Sequence, residues 1–141
     1  MRESVKKAVQ NGLPTVAECG GFMYLTDRIA GWQMAGVIRG DCMDMEKLVR
    51  FGYAVFSACE ESMLFEPGGS VRGHEFHHWG VSHPGEALTA RKPSGRGWKC
   101  AYATDNLYVG YPHLYCMSNL RTAQRFVLRC HERRKCNGGG K

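Results

Sequence analysis

The stretch from Leu13 to Leu25, LPTVAECGGFMYL, constrains the fold more than any other part of the chain. PTVAE reads as a short buried strand, CGG as a turn, and GFMYLTDRI as a helix entered directly from that strand. A strand that bends sharply into a helix belongs to α/β architecture, and it pushes the residue at the corner out of the backbone. Small residues must stand two places to either side to avoid collision, a requirement met by Ala17 and Gly21. The corner residue itself is Cys19, at a helix N-terminus where the macrodipole favours thiolate over thiol. A buried core cysteine beside a glycine-rich turn is the competing reading of the same residues.

The remaining pattern supports an αβα order, then several strands, then a helix. Met1 to Asn11 has helical spacing at Val5, Ala8 and Val9, closed by Gly12 and Pro14. Val37 and Ile38 predict a short strand; RFGYAVFSA alternates as another, and SVRGHEFHHW as a third after the turn EPGGS. Gly85 to Gly97, rich in Pro, Gly and basic residues, predicts a loop. NLYVGYPHLYC predicts a strand that runs into a corner, and Ser118 or Asn119 caps a last helix reaching about Cys130. The tail CNGGGK predicts disorder.

At 141 residues, 43% apolar and 23% charged, the composition is that of one ordinary globular domain and says little about function. The net charge of +6 is concentrated late, where Arg121, Arg125, Arg129 and Arg133 form one helical stripe. With Ala123, Phe126, Val127 and Cys130 on another side, the stripe predicts a solvated helix face rather than a nucleic-acid patch. Seven cysteines without a CxxC pair indicate neither a disulfide framework nor a zinc ribbon, and free thiols suit a reducing cytoplasm. No apolar run is long enough for a signal peptide or a membrane span, so the expectation is a cytoplasmic protein without membrane or nucleic-acid partners.

A nucleophilic cysteine needs a base, and YVGYPHLYC offers His113, although a lone histidine there also fits a structural role. In an α/β sheet, strand ends on one edge bring such distant residues together. A rival motif stands between them: His74-Glu75-Phe76-His77-His78 matches HExxH, which on a helix would hold zinc with the glutamate as general base. Gly73, Gly80 and Pro84 leave no room for that helix, and on a strand His74, Phe76 and His78 share one face while Glu75 and His77 share the other.

Taken in order, MRESVKKAVQNGLPTVAECGGFMYLTDRI, GVIRGDCMDMEKLVRFGYAVF, VRGHEFHHW and GYPHLYCMSNLRTAQRFV resemble the C-terminal glutamine amidotransferase domain of the cobyrinate a,c-diamide synthase family and its tetrapyrrole-amidating relatives. The resemblance implies a class I glutamine amidotransferase-like fold, a flavodoxin-like doubly wound sheet incomplete at the N-terminus, over residues 1–130. It implies that Cys19 attacks the carboxamide of glutamine, that His113 moves the proton, and that Gly20, beside Gly21 in the elbow, lends one oxyanion amide. His74, Glu75 and His77 would then line the mouth near Cys19 or steady a contact between domains, with no metal. Ammonia would pass to an ATP-dependent synthetase domain that amidates a corrinoid or related tetrapyrrole carboxylate. ATP and Mg²⁺ belong to that domain and no cofactor to this portion; a homodimer of the full-length protein is compatible with the pattern.

Two departures qualify these expectations. Most class I glutaminases place a glutamate two residues after the histidine, where this chain has Tyr115; the family that it resembles also does without that glutamate, and nothing in the sequence names what orients the imidazole. The chain also has no GxxxxGK[ST] phosphate loop and reads as the C-terminal portion of a longer protein, whose upstream part would supply the second oxyanion donor. The alternatives are a non-catalytic fragment packing against a synthetase partner and a zinc hydrolase using HExxH.

Overall fold

The computed structural model describes residues 1–138. Helix α1 (Arg2–Gln10) ends as expected: Gly12 takes φ +83°, and the Leu13 amide reaches the Ala8 carbonyl oxygen at 3.1 Å. Strand β1 (Thr15–Glu18) turns at Cys19 into helix α2 (Gly20–Leu25). That helix stops at Leu25 instead of reaching Ile29, because the Thr26 hydroxyl turns back onto the Met23 carbonyl oxygen at 2.7 Å and its backbone becomes extended. Strands β2 (Arg28–Ile29), β3 (Trp32–Gln33) and β4 (Asp41–Asp44) follow. Val37 and Ile38, expected as a strand, form a bend whose two amides both donate to the Leu25 carbonyl oxygen, at 2.8 and 2.9 Å. They close the end of α2 rather than join a ladder.

The long strands β5 (Arg50–Ala58) and β6 (Ser70–His77) lie where alternation put them, and β7 (Trp79–Val81) continues the second after a break at His78. Strand β8 (Leu88–Arg91) lies inside the segment expected as a loop, its Leu88 and Ala90 fully buried. Two apolar residues in so short a run are too weak a signal to outweigh the flanking prolines and glycines. Strands β9 (Gly97–Cys100), β10 (Tyr102–Ala103), β11 (Leu107–Gly110) and β12 (His113–Leu114) complete the sheets. A turn of 3₁₀ helix (Cys116–Ser118) then leads into α3 (Leu120–Gly138), which continues well past Cys130 and takes in the first half of CNGGGK, the stretch expected as disordered. The last three residues of that stretch lie outside the described ones.

The strands form three sheets, ordered β1-β11-β10, β12-β6-β5-β8-β9 and β3-β2-β4-β7. β1 and β11 run parallel, with Glu18 opposite Gly110, so their C-terminal ends lie side by side. All four residues of β11 are buried, the mark of a strand covered on both faces. Tyr108 points into a core with Phe56, Met63, Phe65 and Leu88, while Leu107 and Val109 point into a second with Val9, Phe22 and Leu25 of α1 and α2. Each fully buried Phe or Leu is worth about 1.5–3 kcal/mol, so β11 is the strand through which both cores hold the corner that follows it.

Helix α3 keeps Arg121 of the expected solvated stripe 74% exposed but draws Arg125 toward the protein. Arg125 is only 22% exposed and donates to the Ser62 carbonyl oxygen at 2.7 Å and to Glu61 at 3.1 Å; Arg121 meets Glu66 at 3.1 Å. Arg121 and Arg125 are thus matched by acidic loop residues, and Thr122 and Phe126 turn inward beside them, whereas Val127 and Cys130 are exposed. Among the described residues no helix is long and apolar enough to cross a membrane.

Candidate active site

The elbow between β1 and α2 holds Cys19 at φ 51° and ψ −110°, a left-handed conformation costing a non-glycine residue about 1–3 kcal/mol. Two hydrogen bonds fix it there: the Cys19 amide donates to Gly110 on β11 at 2.9 Å, and the Cys19 carbonyl accepts from Met23 at 3.0 Å. A Cβ on Gly21 would sit 3.4 Å from that of Ala17, which is the close approach the small residues were expected to permit. Gly20 has open space around it, and the amides of Gly20 and Gly21, in the first turn, have no intrahelical acceptor. Cys19 is partly exposed beside them.

His113 opens β12 three residues beyond Gly110, whose carbonyl oxygen accepts from the Cys19 amide at the elbow. Its Nδ1 lies 3.3 Å from Oε2 of Glu18, the residue immediately before the nucleophile candidate, and the other oxygen of that carboxylate accepts from the Leu114 amide at 3.0 Å. Glu18 is the site residue that sequence reading missed. Its position before Cys19 was visible, but its contact with a histidine at the far end of the chain exists only once β1 and β11 are paired.

The HEFHH segment has a clear structural part in this corner. On β6 the exposed residues are Ser70, Arg72, His74 and Phe76, and the buried ones Val71, Gly73, Glu75 and His77, as strand alternation requires; His78, just past its end, is exposed as well. His74 and His78 are thus about 13 Å apart along the strand, too far for one zinc ion. His74 stacks on His113 with ring centroids 4.9 Å apart at 16°. On the opposite face, His77 stacks on Tyr111 at 3.8 Å and 7°. Strand β6 therefore grips both ends of Tyr111-Pro112-His113. Glu75 and His77, expected to meet substrate or a neighbouring domain, are instead 3% and 8% exposed. Glu75 accepts from the Trp98 indole at 3.1 Å and faces His77 Nε2 at 3.1 Å, while His77 Nδ1 donates to the Trp79 carbonyl oxygen at 2.7 Å. Since that carbonyl can only accept, Nδ1 of the imidazole carries a proton.

From His113 an open groove of about 900 Å³ runs across the outer face of β5 and β6, between Tyr53, Val55, Arg72 and Lys92. Burial pushes the Cys42 and Cys100 thiols up, and Cys116 likewise, with the Glu18 carboxylate adding to the last. These three thiols lack the elbow geometry of Cys19. The arrangement supports nucleophilic attack by a thiol at a strained corner, with a carboxylate-backed imidazole on the neighbouring strand end.

Four likenesses to known proteins are found. Residues 1–120 match the family described as the CobB/CobQ-like glutamine amidotransferase domain. The chain is 35% identical over 142 aligned residues to the cobyrinate a,c-diamide synthase of Priestia megaterium, covering 96% of this chain and 31% of that protein. It is 36% identical over 136 residues to the cobyrinate a,c-diamide synthase of Picrophilus torridus, covering 93% and 29%. The chain therefore spans about a third of the length of these curated relatives. A crystal structure of a glutamine amidotransferase superposes with a TM-score of 0.61 at 18% identity, over 92% of this chain and 68% of that one, and shows the class I glutamine amidotransferase-like α/β fold. The chain belongs to the CobB/CobQ-like glutamine amidotransferase domain family.

Proposed function

We propose that the chain hydrolyses glutamine to supply ammonia, with Cys19 as nucleophile and His113 as proton carrier. The observation that carries this reading is the strained, partly exposed Cys19 beside the His113 strand end. The Cys19 sulfur attacks the carboxamide carbon while its proton passes through His113 to the departing ammonia; the C–N bond breaks and a glutamyl thioester remains. Water then adds to the thioester with His113 as base, releasing glutamate and restoring the thiol. The oxyanion formed at each step is met by the first-turn amides, chiefly that of Gly20.

The names of the relatives support a destination for the ammonia: amidation of the a and c side-chain carboxylates of cobyrinate or a related tetrapyrrole. Activation of those carboxylates belongs to ATP and Mg²⁺ in a synthetase portion. The residues of this chain do not fit that role, for no GxxxxGK[ST] loop is present and no step here runs through a nucleotide.

Glutamate release by the chain, and amidation when it is combined with the synthetase portion of the Priestia megaterium relative, test the proposal. Cys19→Ala and His113→Ala are expected to abolish glutamine-dependent amidation while leaving amidation from added ammonia largely intact. Equal loss of both activities in a folded variant would make Cys19 structural and support a packing role without catalysis.

A further inference from the structure

An imidazole that takes a proton at Nε2 needs an acceptor at Nδ1, because the acceptor fixes both the tautomer and the direction of the ring. The place two residues after His113 is filled by Tyr115, a neutral phenol 60% exposed to solvent. The carboxylate that reaches His113 comes from elsewhere: Glu18 Oε2 is 3.3 Å from Nδ1.

Three features make this more than a surface ion pair. First, the Glu18 side chain is anchored through its other oxygen to the Leu114 amide at 3.0 Å, so the carboxylate is tied to the backbone next to the ring it faces. Second, Glu18 is the last residue of β1 and sits opposite Gly110 in the parallel ladder, which fixes its distance from the corner carrying His113. Third, the His74 ring, stacked at 4.9 Å, restricts the plane of the imidazole and leaves rotation about its bond to the backbone as the motion a carboxylate must stop. The contact is longer than an ideal hydrogen bond, as catalytic contacts commonly are before substrate closes the site.

We propose that Glu18 is the positioning residue of His113, holding Nδ1–H so that Nε2 faces Cys19, and that the residue preceding the nucleophile thereby replaces the acid found elsewhere in class I glutaminases. One backbone segment then carries both the nucleophile and the carboxylate that orients the base. A shift of β1 against β11 moves Cys19 and Glu18 together relative to an imidazole carried by β12.

This inference rests on His113 acting as the base, and its test separates the two. In the chain labelled with ¹⁵N-histidine, neutral His113 is expected as the Nδ1–H tautomer. Glu18→Ala is expected to release it to the Nε2–H form favoured by free imidazole, while Glu18→Gln, whose amide oxygen still accepts, keeps Nδ1–H. In parallel, the rate at which a diazoketone analogue of glutamine alkylates Cys19 is expected to fall about 10–100-fold in Glu18→Ala and to recover in part in Glu18→Gln. An Nε2–H tautomer in the wild-type chain overturns the proposal, as does a tautomer unchanged by Glu18→Ala. Should Glu18→Ala fail to fold, Glu18→Gln decides the matter: retention of Nδ1–H supports the role and its loss refutes it. If Cys19 is never alkylated but the tautomers behave as stated, the glutaminase reading fails and the positioning contact stands.

Discussion

Gly73→Ala strikes the histidine corner without touching any proposed reacting group. Gly73 lies opposite Leu114 where β6 pairs with β12, and a Cβ there would press on the His113 carbonyl oxygen well inside contact distance and approach the Phe56 ring at 3.0 Å. Carbon meets a carbonyl oxygen comfortably at about 3.3 Å, so β12 has to move by about 1 Å or its pairing with β6 has to open. Overpacking of this kind costs about 1–3 kcal/mol, and for a domain of this size that lowers Tm by about 4–12 °C. A misplacement of about 1 Å in a reacting group costs about 10² in rate, so Cys19 alkylation by the diazoketone analogue is expected to slow by that order even where the variant is fully folded. Thermal unfolding followed by circular dichroism measures the first effect, and intact mass against time the second. A variant with wild-type Tm and wild-type labelling rate would refute the claim that β6 sets the position of His113.

Four further outcomes are expected. Glu75→Ala leaves the Trp98 indole and the buried His77 ring without this partner, and denaturant unfolding should show a loss of about 1–3 kcal/mol, the cost of leaving a buried polar group unsatisfied. Arg125→Ala removes the bonds to Ser62 and Glu61 that seat α3, and should cost about 1–2 kcal/mol with little dependence on salt, since this side chain is only 22% exposed. Competitive alkylation at neutral pH should mark Cys19 ahead of the exposed Cys136, while Cys42 and Cys100, whose thiols burial pushes up, become reactive only as the pH rises above the ordinary thiol range; equal labelling of Cys19 and Cys136 would speak against an activated nucleophile. Elemental analysis should find no stoichiometric zinc, and one tightly held ion lost on His74→Ala would revive the HExxH reading.

The parts of the fold legible in the sequence were those whose signal is local. The elbow at Cys19 could be read from Ala17 and Gly21 because the steric demand acts within five residues. The alternation of β6 could be read from SVRGHEFH because each inward and outward residue is set by its own strand. What escaped was set by distant partners. Leu88–Arg91 became a strand only because β5 and β9 flank it, and Arg125 of α3 became seated only because Glu61 and the Ser62 carbonyl stand across from it. The burial of Glu75 and His77 shows the middle case. Alternation placed them together on one face, but which face met the core depended on Tyr111 and Trp98, far along the chain. Glu18 escaped for the same reason, since a carboxylate beside a cysteine carries no sign of the histidine that it will meet.

On the proposed mechanism Cys19 forms a covalent bond to the side-chain carboxamide carbon of glutamine, Cδ, with His113 as its base. Incubating the chain with the diazoketone analogue and reading intact and peptide masses tests it most directly. The account predicts a single adduct, located on the Cys19 peptide, absent in Cys19→Ala, greatly slowed in His113→Ala and suppressed by excess glutamine. An adduct on another cysteine, or labelling of Cys19 indifferent to both glutamine and His113, would contradict it.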